Sequence, residues 1–170
     1  MKDFGTSKKL VKGLTPQEFK KLILIIPQKD KLSRTAFLLG YGSGLRISEV
    51  LKLQKVNIRE KAIDIWDAKG GKDRVVPKPK GWKEYMLTEI PIKKGERTLQ
   101  RRFKKYSKKA GLPEHYVFHS LRHGFGTRMI ESGVPLNQLS LLMGHSSISV
   151  TNVYTKARPQ DALKSYEELF

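Results

Sequence analysis

Residues 55–77 read KVNIREKAIDIWDAKGGKDRVVP, and this stretch decides the fold class. Val56-Asn57-Ile58, Ala62 to Trp66 and Arg74-Val75-Val76 are short runs rich in β-branched residues, separated by polar breaks. They predict a small antiparallel meander. The turn before its last run is Lys69-Gly70-Gly71-Lys72-Asp73, glycine-rich and charged. On both sides of this stretch the apolar spacing is helical. Thr15-Pro16-Gln17-Glu18 supplies an N-cap, a proline at the first helical position and a capping-box glutamate. Phe19, Leu22, Ile23, Ile25 and Ile26 then predict a buried helix that Pro27 ends. A second helix is expected over Leu32 to Leu39, broken by Gly40, Gly42 and Gly44, and a third short one from Arg46.

Beyond the meander, Leu99, Phe103, Tyr106 and Ala110 share one face of a helix spanning Arg97 to Ala110. Ser120 to Ser132 and Pro135 to Met143 follow, each closed by a glycine, Gly133 and Gly144. Pro159 to Phe170 reads as a last amphipathic helix. The fold class is mainly α with a small antiparallel β-meander, an α+β arrangement. The expected organisation is a basic lead-in over 1–14, one domain over 15–158 and a helical tail over 159–170.

Composition narrows the function before any motif does. The chain has 170 residues, of which 38% are apolar, enough for one core. No apolar run is long enough to span a bilayer. Met1 to Lys12 carry four lysines and do not read as a secretory signal, so a cytoplasmic setting is expected. With no cysteine, disulfides, thiolate nucleophiles and cysteine zinc sites are excluded. The net charge of +18 predicts a polyanionic partner.

Several polar residues stand where structure alone gives them little reason to be. Arg46 opens a helix after a glycine-rich turn. His119 and Arg122 lie three apart at a helix start, on one face. His145 follows Gly144, Tyr154 comes nine residues later, and Lys69 stands at a hairpin tip. Together they make a phosphoryl-transfer set. Two arginines offer planar donor forks to the non-bridging oxygens of a phosphodiester. Their value is greatest when negative charge collects there in the transition state. A tyrosine hydroxyl is a nucleophile once a base or a cationic pocket overcomes its pKa of about 10. Imidazoles handle protons near neutrality, and a lysine can protonate a leaving 5′ oxygen. The set needs neither a metal nor another cofactor.

Competing readings of the same residues are weaker. His115, His119 and His123 are spaced by four, but Val117-Phe118 precede the helix and take His115 off that face. Asp64 and Asp67 have no third carboxylate at metal-site spacing. Gly40-Tyr41-Gly42-Ser43-Gly44 follows a helix rather than a strand, so it is no dinucleotide loop.

Gly44-Leu45-Arg46-Ile47-Ser48-Glu49-Val50 resembles the first arginine box of the tyrosine recombinase (phage integrase) family. Lys69 to Pro77 resembles that family's β-hairpin lysine segment. His119-Ser120-Leu121-Arg122-His123 is similar to its His-x-x-Arg box. Leu142 to Ser147, followed by Val153-Tyr154, is similar to its last box.

The resemblance implies the integrase catalytic-domain fold and a site-specific recombinase. Such enzymes cut one DNA strand through a 3′-phosphotyrosine and rejoin it to a partner strand. On this match Tyr154 is the nucleophile, Arg46 and Arg122 clamp the scissile phosphate, and His119 is the general base. Lys69 is the general acid, with Lys72 on the same hairpin as the alternative, and His145 donates a stabilising hydrogen bond. Glu49 orients its basic neighbours. The implied partner is double-stranded DNA, bound by a homotetramer that is monomeric when free, with an N-terminal DNA-binding domain missing from this sequence. The tail is expected to dock on a neighbouring protomer. Lys72, Arg74, Arg97, Arg101 and Lys105 are the expected DNA contacts. Two other classes share parts of this pattern: a non-enzymatic DNA-binding module and a relaxing enzyme of the type IB topoisomerase kind.

Overall fold

The computed structural model describes residues 13–66 and 73–144. Helix α1 (Pro16–Ile25) starts at a reciprocal capping box. The Glu18 N–H donates to Thr15 Oγ1 at 3.2 Å and the Thr15 N–H donates to Glu18 Oε2 at 2.8 Å. Only Leu22 of this helix is fully buried, followed by Ile26 at its C-cap. Ile25, expected inside, is exposed, because the helix lays a single stripe on the core and Ile25 falls outside that stripe. Gly13 and Leu14 also belong to the fold: Leu14 is buried and its N–H donates to the Ser120 carbonyl.

Helix α2 (Lys31–Gly42) is the central element, buried almost throughout from Ser33 onward. It runs through Gly40, which does not break it, and ends at Gly42 with Ser43 as its C-cap. A Cβ at Gly40 would sit 3.2 Å from Leu121, and one at Gly42 would sit 2.5 Å from Pro79. Those glycines serve close packing, a pressure that outweighs their poor helix propensity of about 1 kcal/mol. Phe37 of α2 meets Phe103 and Phe118 edge to face, at centroid separations of 5.5 and 5.9 Å. That aromatic cluster joins α2 to α5 (Glu96–Lys109) and to the residue preceding α6 (His119–Glu131). A smaller cluster of Phe125, Met129, Val134, Leu139, Leu142 and Met143 seats α7 (Leu136–Met143) on α6.

Strands β1 (Ala62–Ile65) and β2 (Arg74–Pro77) pair antiparallel, with Ile63 opposite Val76 and Ile65 opposite Arg74. The expected first run of the meander is not a strand. Lys55–Asn57 forms a 3-10 turn, and Ile58 makes one isolated bridge to Ile63. The Asn57 side chain explains this: its Oδ1 accepts from the Gln54 N–H at 2.8 Å and closes a local turn instead of a ladder. Two short helices complete the described chain, α3 (Ile47–Lys52) after α2 and α4 (Glu84–Thr88) after β2. The sequence pattern did not reveal α4. No helix among the described residues is long and apolar enough to cross a membrane.

Candidate active site

Gly44 sets the entry to the site. Its φ of +68° turns the chain out of α2, and a Cβ there would lie 2.5 Å from the Phe125 ring. The turn leaves Arg46 at the N-cap of α3. Glu49, one turn later, reaches back and accepts the Arg46 N–H at 2.7 Å. This is the return half of a capping box, and it places a carboxylate at a helix N-terminus.

Glu49 is the hub of the site. Its Oε1 accepts from Arg46 Nη1 at 3.0 Å and pairs with Arg74 Nη1 at 2.8 Å. Its Oε2 accepts from Arg74 Nη2 at 2.9 Å and lies 3.8 Å from Arg122 Nη1. Burial alone would raise this carboxyl's pKa. The hydrogen bond and charge of Arg74, the Arg46 N–H and the charge of Arg122 outweigh burial and hold it below the usual carboxylate range. Three guanidinium groups thus surround one carboxylate, and the cluster keeps a net charge of +2.

The same arginines hold the C-terminal end of α7, where helix carbonyls lack intrahelical partners. Arg74 Nε donates to the Leu142 carbonyl at 2.8 Å. Arg122 Nη2 donates to the Met143 carbonyl, and Arg46 Nη2 to the Gly144 carbonyl at 3.3 Å. Three consecutive carbonyls are each taken by a different arginine, with positive charge at the negative end of the helix dipole. Arg122 also donates from Nη1 to the Gly44 carbonyl at 2.6 Å. Desolvation and the charges of Arg46 and Arg74 push the Arg122 pKa down to about 10, against the attraction of Glu49. Arg122 is 2% exposed, whereas the Arg46 side chain is 38% exposed, so Arg46 is the member that solvent reaches.

His119 is the first residue of α6, three before Arg122, and is exposed. Its ring stands edge to face on His123 at 4.6 Å. Burial, then the Arg122 charge, lowers the pKa of His123 below the ordinary imidazole value. Lys69, Lys72, His145 and Tyr154 lie outside the described residues. Pairing of Ile65 with Arg74 brings together the two strand ends that residues 66–73 connect.

The expected DNA contacts divide. Arg97, Arg101 and Lys105 are exposed on α5, together with Lys104, Lys108 and Lys109. Arg102 turns away from that face to pair with Asp30 at 2.7 Å. Arg74 is buried, and protein acceptors hold both ends of its guanidinium, so it belongs to the arginine cluster rather than to the exposed basic face of α5. Its place in the arginine cluster was missed in the sequence. The signal was there: Arg74 and Val76 share a strand face, and Val76 is fully buried.

The comparisons bear on family and fold. The sequence profile of the phage integrase family fits residues 12–161. The chain belongs to the phage integrase family. A tyrosine recombinase XerA of Thermococcus onnurineus is 37% identical to it over 181 residues, covering 95% of this chain and 64% of the relative. The chain therefore spans just under two thirds of that relative's length. Two solved structures share the integrase fold. An integrase from mycobacterium phage Brujita superposes with a TM-score of 0.71 at 21% identity, over 94% of this chain and 58% of that one. A XerH site-specific recombinase, bound to palindromic difH substrate in a post-cleavage complex, gives 0.69 at 19%, over 98% of this chain and 52% of that one.

Proposed function

We propose that this chain is the catalytic domain of a site-specific DNA recombinase that cuts and rejoins strands through a 3′-phosphotyrosine. The observation that carries the reading is the buried arginine cluster around Glu49 with its surplus of two positive charges. A phosphodiester brings one negative charge, and attack by a phenolate makes a pentacoordinate species with about two. The cluster's charge is matched to the second state better than to the first, which is the condition for catalysis.

In the proposed reaction the scissile phosphate meets the exposed fork of Arg46 first. Its non-bridging oxygens then replace the Gly144 and Met143 carbonyls as acceptors for Arg46 and Arg122. His119 takes the phenolic proton of Tyr154, whose oxygen forms a bond to phosphorus. The bond from phosphorus to the 5′ oxygen breaks, and Lys69, or Lys72 beside it, protonates that oxygen. His145 donates a hydrogen bond to the phosphate. Attack by a 5′-hydroxyl from a second duplex reverses each step. Because the phosphotyrosine conserves the diester's energy, the residues need no ATP and no metal.

Exchange between two duplexes requires four strand cuts, hence four protomers on DNA. The tail 159–170 is the proposed docking segment between them, and Arg97, Arg101 and Lys105 on α5 the proposed backbone contacts. Domain limits of 15–158 for the catalytic unit, extended to take in Gly13 and the buried Leu14, are part of this reading.

The test is a denaturing gel of the protein with a nicked duplex carrying its recombination site, in the presence of EDTA. The reading expects a covalent adduct with wild type and none with Tyr154→Phe. Salt-sensitive DNA binding without any adduct would favour a non-enzymatic module. Plasmid relaxation without joining of two sites would favour a relaxing enzyme.

A further inference from the structure

Arg74 lies at the start of β2, next in the chain to the segment that carries the hairpin lysines, and its guanidinium has three protein acceptors. Both Nη atoms grip Glu49, one on each carboxylate oxygen, at 2.8 and 2.9 Å. The Nε donates to the Leu142 carbonyl at 2.8 Å. Those acceptors belong to α3 and α7, so one side chain ties the sheet, the helix that presents Arg46 and the helix end that precedes His145. The fit around it is tight. Gly144 has a φ of +61°, and a Cβ there would lie 2.9–3.1 Å from the Arg74 guanidinium and Cδ. A cation this deeply buried is costly unless its partners are well aligned, and all three are.

We propose that Arg74 is a positioning residue for strand cleavage, fixing Glu49 and the end of α7 so that Arg46 and Arg122 present their forks at one phosphate. It touches no reacting atom itself. The proposal rests on the recombinase reading for its kinetic consequence, and on the described contacts alone for its structural one. Glu49 has one carboxylate to share among three arginines. Arg74 takes both oxygens in a planar fork, which fixes the plane of the carboxylate and therefore the rotamer in which Arg46 is held. A lysine at this place would keep the charge and lose the fork.

The experiment uses Arg74→Lys, Arg74→Met, Glu49→Gln and the double variant Arg74→Lys/Glu49→Gln. The first readout needs no activity: the guanidinium Nε–H NMR resonances of Arg46 and Arg122. In Arg74→Lys these are expected to lose their protected, dispersed positions, the Arg46 signal moving toward that of a free arginine. The second readout is single-turnover adduct formation at saturating DNA, beside DNA affinity. Displacement of a clamp by about 1 Å predicts a fall in rate of about a hundredfold with affinity nearly unchanged. The double variant should be scarcely slower than Glu49→Gln, because both act on one element.

Unmoved Arg46 and Arg122 resonances in folded Arg74→Lys overturn the proposal whatever the kinetics show. So does a wild-type cleavage rate in Arg74→Lys, or losses that multiply in the double variant. Should Arg74→Met fail to fold, the lysine variant carries every arm. Absence of any adduct from wild type would refute the recombinase reading, while the resonances still decide the positioning of the arginines.

Discussion

Replacing Glu49 by alanine removes the one carboxylate that holds three guanidinium groups together. Arg74 and Arg122 have side chains only 5% and 2% exposed, so solvent does not take over its role. Breaking a buried pair from one side costs about 3–5 kcal/mol, since an uncompensated charge stays behind. For a domain of this size each kcal/mol lowers Tm by about 2–4 °C, which gives a drop of roughly 6–20 °C. Differential scanning calorimetry at pH 7 and low salt is the assay. Arg59→Ala is the control: it removes the partner of Asp64, but the Arg59 side chain is 62% exposed, and such a pair contributes about 1 kcal/mol or less. A second signature separates charge from packing. Inorganic phosphate should raise the Tm of Glu49→Ala more than that of wild type, by supplying the missing anion. A loss below about 1 kcal/mol, equal to that of the control, would refute the idea that Glu49 organises the cluster.

Acid should act through the same residue. Because the Glu49 carboxyl lies below its unfolded value in the native state, its stabilisation is present above the unfolded carboxylate pKa of about 4.3 and is lost as pH falls through the lower folded one. The Tm gap between wild type and Glu49→Gln should therefore narrow below pH 4. His123 works in the same direction at higher pH. Its folded pKa is lowered, so the unfolded chain binds the proton more readily as pH falls below about 6.5; His123→Gln should flatten the decline in Tm between pH 7 and 5. Gly144→Ala meets both a φ of +61° and the Arg74 guanidinium, so adduct formation should fall more than stability does, read by gel and by urea unfolding. Gly44→Ala confronts the rigid Phe125 ring at 2.5 Å with a φ of +68°, and should lose about 2 kcal/mol or more in the same urea titration.

Much of the architecture was written in local signals. The capping box at Thr15 and Glu18 marked the first turn of α1, and the spacing of Leu99, Phe103 and Tyr106 marked the buried stripe of α5. Gly144 marked the stop of α7, with its left-handed backbone. Elements failed where a distant neighbour overruled a local preference. Gly40 looks like a helix breaker until Leu121 packs against it. Residues 56–58 look like a strand until the Asn57 side chain closes a turn. Helix α4, five residues long, is too short to show a period.

The site divides along the same line. Residue type and helical spacing made Arg46, His119 and Arg122 candidates from linear order, and the family resemblance added Glu49. Strand alternation already turned Arg74 inward with Val76, but nothing in the linear order said that it would meet a glutamate on another helix. Nor could it show that Leu142, Met143 and Gly144 would each hand a carbonyl to a different arginine. Those contacts join residues dozens of positions apart, and only the packing of α7 against α6 and β2 brings them within hydrogen-bonding range. Residue chemistry is carried by the chain itself, whereas the sharing of one carboxylate among three cations exists only once the chain has closed around it.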